Sequence, residues 1–451
     1  MSSVQPVTND LTRKMIPYFD RHLIYPLLHF LSLKELYPKE DLLNAKYDLL
    51  VKTGLTEFAG SIYKEMHGES AVSDELKAKE AEILQLDETL RGDTEKVLDI
   101  IGNPEVIASL GQDKLQNQTF LERDYGLTQE MLLSLYKYGR YQYELGQYGA
   151  CADLLYHYRI LSTNAELSYN ALWGKFASEI LSGNWDVAYQ DLHLLRESIE
   201  SRVFENPLHQ LQQRTWLIHW SLFVFFNHAK GRDGIIDLFF QAPYINTIQT
   251  SCPWILRYLA TAVITNRRRK NYIKELVRVI QQESHAHSDP IIEFILALYV
   301  HFDFDGAQKK LLECATVLEN DFFLLATFDD FIESARCVLT ETYCRIHKKV
   351  EIGDLTTRLN MQGVEGEKWV VNLIRDTRVD AKIDFADNTV NLGSSYPTVY
   401  QQIIERTKNL AFRSQVLATK IDKRLSAQKK AAAAAENASS VATGALASMV
   451  E

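Results

Sequence analysis

The chain has 451 residues, 46% of them hydrophobic and 11% aromatic, which is apolar surface enough for two or more structural units or for an extended repeat array. Its formal charge of −10, from 59 acidic and 49 basic residues, repels a phosphate backbone at long range and argues against a dedicated nucleic-acid binder. Five cysteines are too few for a disulfide-built secreted scaffold, and no apolar run reaches the ~20 residues of a bilayer span.

The first ten residues, Met1 to Asp10, lack the basic and apolar runs of a signal peptide, so reduced thiols and a place in the cytosol, the nucleus or both are expected. Residues 1–120 read as an N-terminal helical region. Pro17, Pro26 and Pro38 punctuate its first part as first turns or kinks, because an interior proline costs a helix ~3 kcal/mol. Ser32 with Glu35 fits a capping box, after which Leu42, Leu43, Leu49 and Leu50 face a neighbour. Leu76, Ile83, Leu90 and Val97 then recur every seven positions, and Leu86 and Ile100 fill part of the second file of the seam. That seam packs against a helix of the same domain or is offered to a partner; spacing alone leaves both open.

Residues 121–210 form helical repeats. Gly146 and Gly183 stand 37 residues apart, each among aromatics and followed by alanine, at Ala150 and Ala188. A third phrase, Leu298, Phe302, Phe304 and Ala307, lies about three repeat lengths on. This spacing fits a helix–turn–helix array of the ~34–40 residue class, with glycine in the turn and alanine at the close approach. Residues 211–350 continue as helices. Leu211 to Asn227 is apolar on nearly all sides and should be buried, with His219 a hydrogen-bonded core histidine. Asp289-Pro290 reads as an N-cap with a first-turn proline, and Asp329 to His347 is helical again.

From 351 to 395 the pattern becomes helix, helix, hairpin. Two short apolar faces, the second carrying Trp369, precede alternating Ala381, Ile383 and Phe385. Asp387-Asn388 supplies the turn and Val390 with Leu392 the returning strand. This is the arrangement of a winged helix. Residues 351–393 hold five basic and eight acidic residues, so protein docking fits better than a DNA groove. Residues 396–430 resume as one helix, and 431–451, rich in Ala and Ser, read as a flexible tail.

Catalytic motifs are missing. There is no HExxH, no GxxxxGK[ST], no GxGxxG and no GxSxG, and Cys337, Cys344 and His347 lack the partners of a zinc set. The chain is expected to be no enzyme and to hold neither cofactor nor metal. The candidate docking residues are Trp369, Ile383, Phe385, Val390 and Leu392 on the hairpin module. On the helix that follows they are Ile403, Ile404, Leu410, Val416, Leu417 and Ile421. The run Arg267, Arg268, Arg269 and Lys270 is either a solvated helix start or a contact for RNA or an acidic partner.

Long blocks give the sequence a family resemblance. They are Asp20-Arg21-His22-Leu23, LQQRTWLIHWSLFVFFNH at 211–228, RVIQQES at 278–284, FDFDGAQKK at 302–310, WVVNLIR at 369–375 and Phe412-Arg413-Ser414-Gln415. On these the chain, over roughly 10–425, resembles the e-subunit family of eukaryotic translation initiation factor 3, within the wider PCI group. The resemblance implies a mostly α fold: a right-handed helical-repeat array, a winged helix and a C-terminal bundle helix, with 211–395 as the PCI module. It implies a non-catalytic scaffold that supports assembly of the factor, its binding to the small (40S) ribosomal subunit and mRNA recruitment. The implied partners are the c, d and l subunits among others, with RNA contact possible inside the assembly and no membrane or small-molecule substrate. Two alternatives remain: a PCI subunit of the proteasome lid or COP9 signalosome, and a winged-helix nucleic-acid regulator.

Overall fold

The computed structural model describes residues 9–68, 74–102, 114–347, 349–353, 356, 368–369, 371–372, 375, 381–384, 388–392 and 399–447. The fold is mostly α and divides into two compact units, with the division between Tyr343 and Cys344.

In the first unit a one-turn α1 (Thr12–Met15) leads into α2 (Arg21–Leu33). Asp20 caps α2 by accepting from the His22 amide at 3.1 Å, and Pro26 sits inside the helix. The expected capping box is absent: Ser32 lies within α2, and Glu35 takes a left-handed backbone at φ 52° in the turn before Pro38. Helix α3 (Lys39–Leu50) then buries Leu42, Leu43 and Leu50, and α4 (Thr56–His67) packs beside it.

The long α5 (Asp74–Gly102) lies along α7 (Gln129–Glu144), with α6 (Lys114–Tyr125) between them in sequence. Its heptad face turns inward: Leu76 and Val97 are buried, Ile83 and Leu90 half-buried. The Tyr141 hydroxyl donates to the Ile83 carbonyl at 2.5 Å, so α7 covers this file of the seam, while Leu86 of the second file stays 44% exposed.

The repeat phrases fall at the turns between α7 and α8 (Tyr148–Leu161), and between α9 (Ala165–Ser182) and α10 (Trp185–Ser201). Gly146 has φ 82°, and a Cβ there would lie 2.6 Å from a Leu55 methyl, so both conformation and space require glycine. In the third phrase Phe302, at φ 54°, holds the same left-handed place without being glycine. Ala188 and Ala307 are fully buried at helix contacts as the pattern implies, whereas Ala150 is exposed.

Helix α11 (Pro207–Asn227) is the centre of this unit. Asn206 caps it, Pro207 opens it, and residues from Leu217 to Phe225 are buried on nearly every side. Phe223 packs edge-on to both Phe19 and Phe323, and the Trp220 indole donates to the Tyr18 carbonyl at 2.9 Å. Tyr18 and Phe19 are thereby fixed to a helix two hundred residues later. A short helix α12 (Gly231–Phe239) follows, then α13 (Ala242–Ser251), α14 (Leu256–Thr265), α15 (Tyr272–Glu283), α16 (Pro290–Leu296), α17 (Phe304–Asn320) and α18 (Phe328–Ile346).

In the second unit three short strands, β1 (Lys349–Glu351), β2 (Ala381–Asp384) and β3 (Thr389–Leu392), make an antiparallel sheet in the order β1-β3-β2. Val390 lies opposite Val350 on one side and Ile383 on the other. Asn388 has φ 50°, as its turn role requires. The small sheet beside helical residues fits the winged helix. Strand β1 was not foreseen, because three residues, Lys349-Val350-Glu351, give too short an alternation to read. Helix α19 (Val399–Ala447) runs on through most of the expected tail. Alanine has the best helix propensity, and extending an existing helix needs no new nucleus.

A candidate docking surface

Helix α19 has 49 residues and a length of about 74 Å at 1.5 Å per residue. Every residue from 399 to 429 is exposed. That is ordinary for its lysines and arginines. It is not ordinary for Ile403 at 55%, Ile404 at 53%, Leu410 at 65%, Leu417 at 60% and Ile421 at 55%. At 100° per residue these five, with Tyr400 and Leu425, form one stripe. Val416, at 37%, and Phe412 lie on the opposite side of the helix. Covering the exposed part of one such leucine or isoleucine would yield about 1 kcal/mol, and a contiguous stripe of this length differs from singly scattered surface hydrophobics.

The hairpin candidates divide. Ile383 and the helical Trp369 are half-buried and still reach the surface. Val390 is a correction: at 2% exposure, between Val350 and Ile383, it is a core residue of the sheet and offers nothing to a partner. Phe385 lies outside the described residues. Leu392 pairs with Ala381 at the end of β3.

The basic run forms a 3-10 turn, Arg267–Arg269, between α14 and α15. Its charges meet carboxylates of the same unit. Arg267 bonds Glu333 at 3.0 Å, Arg269 bonds Asp233 at 3.1 Å and also Asp237, and Lys270 bonds Glu341 at 2.7 Å. The run therefore ties α12 and α18 to the α14–α15 turn. Arg268 is exposed, and among the described residues it makes no ion pair.

Several buried polar side chains of the first unit bond one another, among them Lys175 with Asp191, His219 with Trp254 and Arg257 with Asp289. His219 is fully buried; its Nδ1–H donates to the Thr215 carbonyl at 2.7 Å, and its Nε2 accepts from the Trp254 indole at 3.2 Å. Both nitrogens are used by the neutral ring, and burial pushes its pKa down to about 4. Four of the five cysteines are buried, all are free, and the described residues hold no metal-binding group of His, Cys, Asp and Glu. A cavity of about 420 Å³ lies between the chain start and α14–α17, lined by Asp10, Phe30, Arg257, Asp321 and others. Its guanidinium and carboxylate are bonded to one another: Arg257 Nη1 meets Asp321 Oδ2 at 3.1 Å, and Arg257 also holds Asp289 at 2.5 Å.

Sequence reading missed this buried cluster. Asp289 stands at the N-cap position of α16, but its side chain makes no cap; it serves Arg257 instead. The available signal was Arg257 itself, alone among the apolar residues of Trp254 to Thr265.

Three family models match the chain. One described as eIF3 subunit 6 N terminal domain matches residues 10–142, and the PCI domain matches 311–394. A third, the C-terminal model for the e-subunit of eukaryotic translation initiation factor 3, matches 398–418. That last match falls on the exposed stripe of α19. Among curated proteins, the e-subunit of eukaryotic translation initiation factor 3 from Aspergillus fumigatus is 49% identical over 422 residues, spanning 92% of this chain and 93% of the relative. The protein of the same name from Neosartorya fischeri is 50% identical over 416 residues (90% and 91%), and that from Botryotinia fuckeliana 48% over 422 (92% and 93%).

Proposed function

Because the chain belongs to the e-subunit family of eukaryotic translation initiation factor 3, whose members are parts of a translation initiation factor and not enzymes, we propose that it acts by presenting preformed docking faces to the other subunits. The observation that carries this reading is the stripe of α19, where Ile403, Leu410, Leu417 and Ile421 are each more than half exposed in the chain alone. A helix ordered before binding loses less conformational entropy on assembly than a loose segment does. The half-buried Ile383 and Trp369 and the outer edge of β2 supply a second face, since an open strand edge can pair with a neighbour's.

The partners in this reading are other subunits of the factor, the c, d and l subunits among them. Through them the chain supports binding to the 40S ribosomal subunit and mRNA recruitment, in the cytoplasm with a share in the nucleus. An RNA contact at 267–270 would fall chiefly to Arg268, its three neighbours being paired with carboxylates.

The test is co-purification of factor subunits with a tagged full-length chain carrying Leu410→Asp and Leu417→Asp. Loss of subunits with an unchanged circular dichroism spectrum is expected. Full retention of every subunit contradicts the reading.

A further inference from the structure

The charge of α19 is as one-sided as its apolar stripe. Between 399 and 429 it carries seven basic residues against two acidic, in a chain of net charge −10. On a heptad frame, Ile403, Leu410 and Leu417 take one seam position, and Arg424 takes the same position next. Tyr400, Thr407, Ser414 and Ile421 take the other. Arg406, Arg413 and Lys420 then stand in single file along one flank of the seam, one per heptad. No ion pair among the described residues engages these three or Arg424, and Lys420 repels Arg424 one turn away.

We propose that the stripe is covered by an acidic amphipathic helix of another subunit, with its carboxylates running beside Arg406, Arg413 and Lys420 and closing on Arg424. This rests on the docking reading above and names the chemistry of the partner. Arg424 continues the line of Ile403, Leu410 and Leu417, so an apolar partner would bury its charge unpaired, which is strongly unfavourable. A carboxylate at that point satisfies it and relieves its repulsion with Lys420. A nucleic acid would answer the cations and leave the isoleucines and leucines open. A lipid surface would have to take Thr407 and Ser414, which lie in the middle of the stripe; a helix seam accommodates such residues and gains register from them.

The experiment uses the full-length chain and two synthetic helical peptides of about four heptads, each with Ile and Leu in the seam. One has Glu and the other Lys on both flanks. The chain should bind the Glu peptide at least about tenfold more tightly than the Lys peptide, and R406E/R413E/K420E should reverse that order. The milder R406Q/R413Q/K420Q should abolish the preference and keep the helix, as followed by circular dichroism. Equal affinity for the two peptides overturns the proposal, as does binding of polyuridylate or phosphatidylserine vesicles in place of the Glu peptide. Factor co-purification separates the two claims. If L410D/L417D loses subunits while R406E/R413E/K420E keeps them, docking stands and the acidic partner is wrong. If both keep them, the docking reading itself has failed.

Discussion

The guanidinium of Arg257 donates to the main-chain oxygen of Asn9 at 2.7 Å, joining residues 248 positions apart. The same side chain, 1% exposed, holds Asp289 and Asp321, and Tyr258 donates to Asp321 at 3.0 Å. The segment from Asn9 to Phe19 is therefore an integral layer of the first unit. Replacing Arg257 by Met leaves two buried carboxylates without their cation and should cost about 3–5 kcal/mol. Urea unfolding of the full-length variant measures it. A loss under about 1 kcal/mol would mean that the cluster is a surface pair in effect, despite its burial.

Gly231 and Gly60 should respond in opposite directions to alanine. At Gly231 the new Cβ would stand 1.7 Å from the Phe225 carbonyl oxygen, so α11 and α12 must separate, at about 3 kcal/mol or more. At Gly60, inside α4, nothing lies within 4 Å, and alanine should stabilise by about 0.5–1 kcal/mol. Thermal melts of the two variants decide whether the turn after α11 is as tight as its geometry implies.

His219 makes stability depend on pH. Its folded pKa of about 4 lies below the ordinary value of 6.5, so the unfolded ring takes up a proton that the folded ring refuses. The contribution is complete above pH 6.5 and is lost as pH falls towards 4, by about 3 kcal/mol in total. His287, also pushed down to about 4 by burial, acts in the same direction. The unfolding free energy measured from pH 7 to pH 4 should fall less steeply in His219→Gln, whose amide can still donate and accept. An identical slope would assign the pH dependence to other groups.

Val390→Ala should loosen the sheet, at about 1–3 kcal/mol, because the buried Val390 stands directly opposite Val350 and Ile383 on the two neighbouring strands. Amide exchange should rise at 349–351 and 381–384 together. Partner binding that falls with no change in that exchange would return Val390 to the docking face.

Much of the helical architecture was legible in the sequence because its signals are local. The first-turn proline of α16, glycine at the α7–α8 and α9–α10 turns, and the apolar run around His219 each carry their own structural instruction. The seven-residue file from Leu76 to Val97 was legible too, but its cover was not, since the packing of α5 on α7 joins segments far apart in the chain. Arg257, the pairing of 267–270 with Glu333, Asp233 and Glu341, and the service of Asp289 away from its helix depend on contacts between distant segments. Spacing along the chain holds no record of them. The stripe of α19 lay between these cases: its residues were legible, and its exposure needed the structure.

Hydrogen–deuterium exchange over residues 399–429, in the free chain and in the assembled factor, tests the central claim most directly. An uncovered helix opens readily and a packed one does not. Exchange should slow strongly on assembly at Ile403, Leu410, Leu417 and Ile421. The same exchange in both states would mean that the stripe stays open in the factor, and that the chain is held there by some other surface.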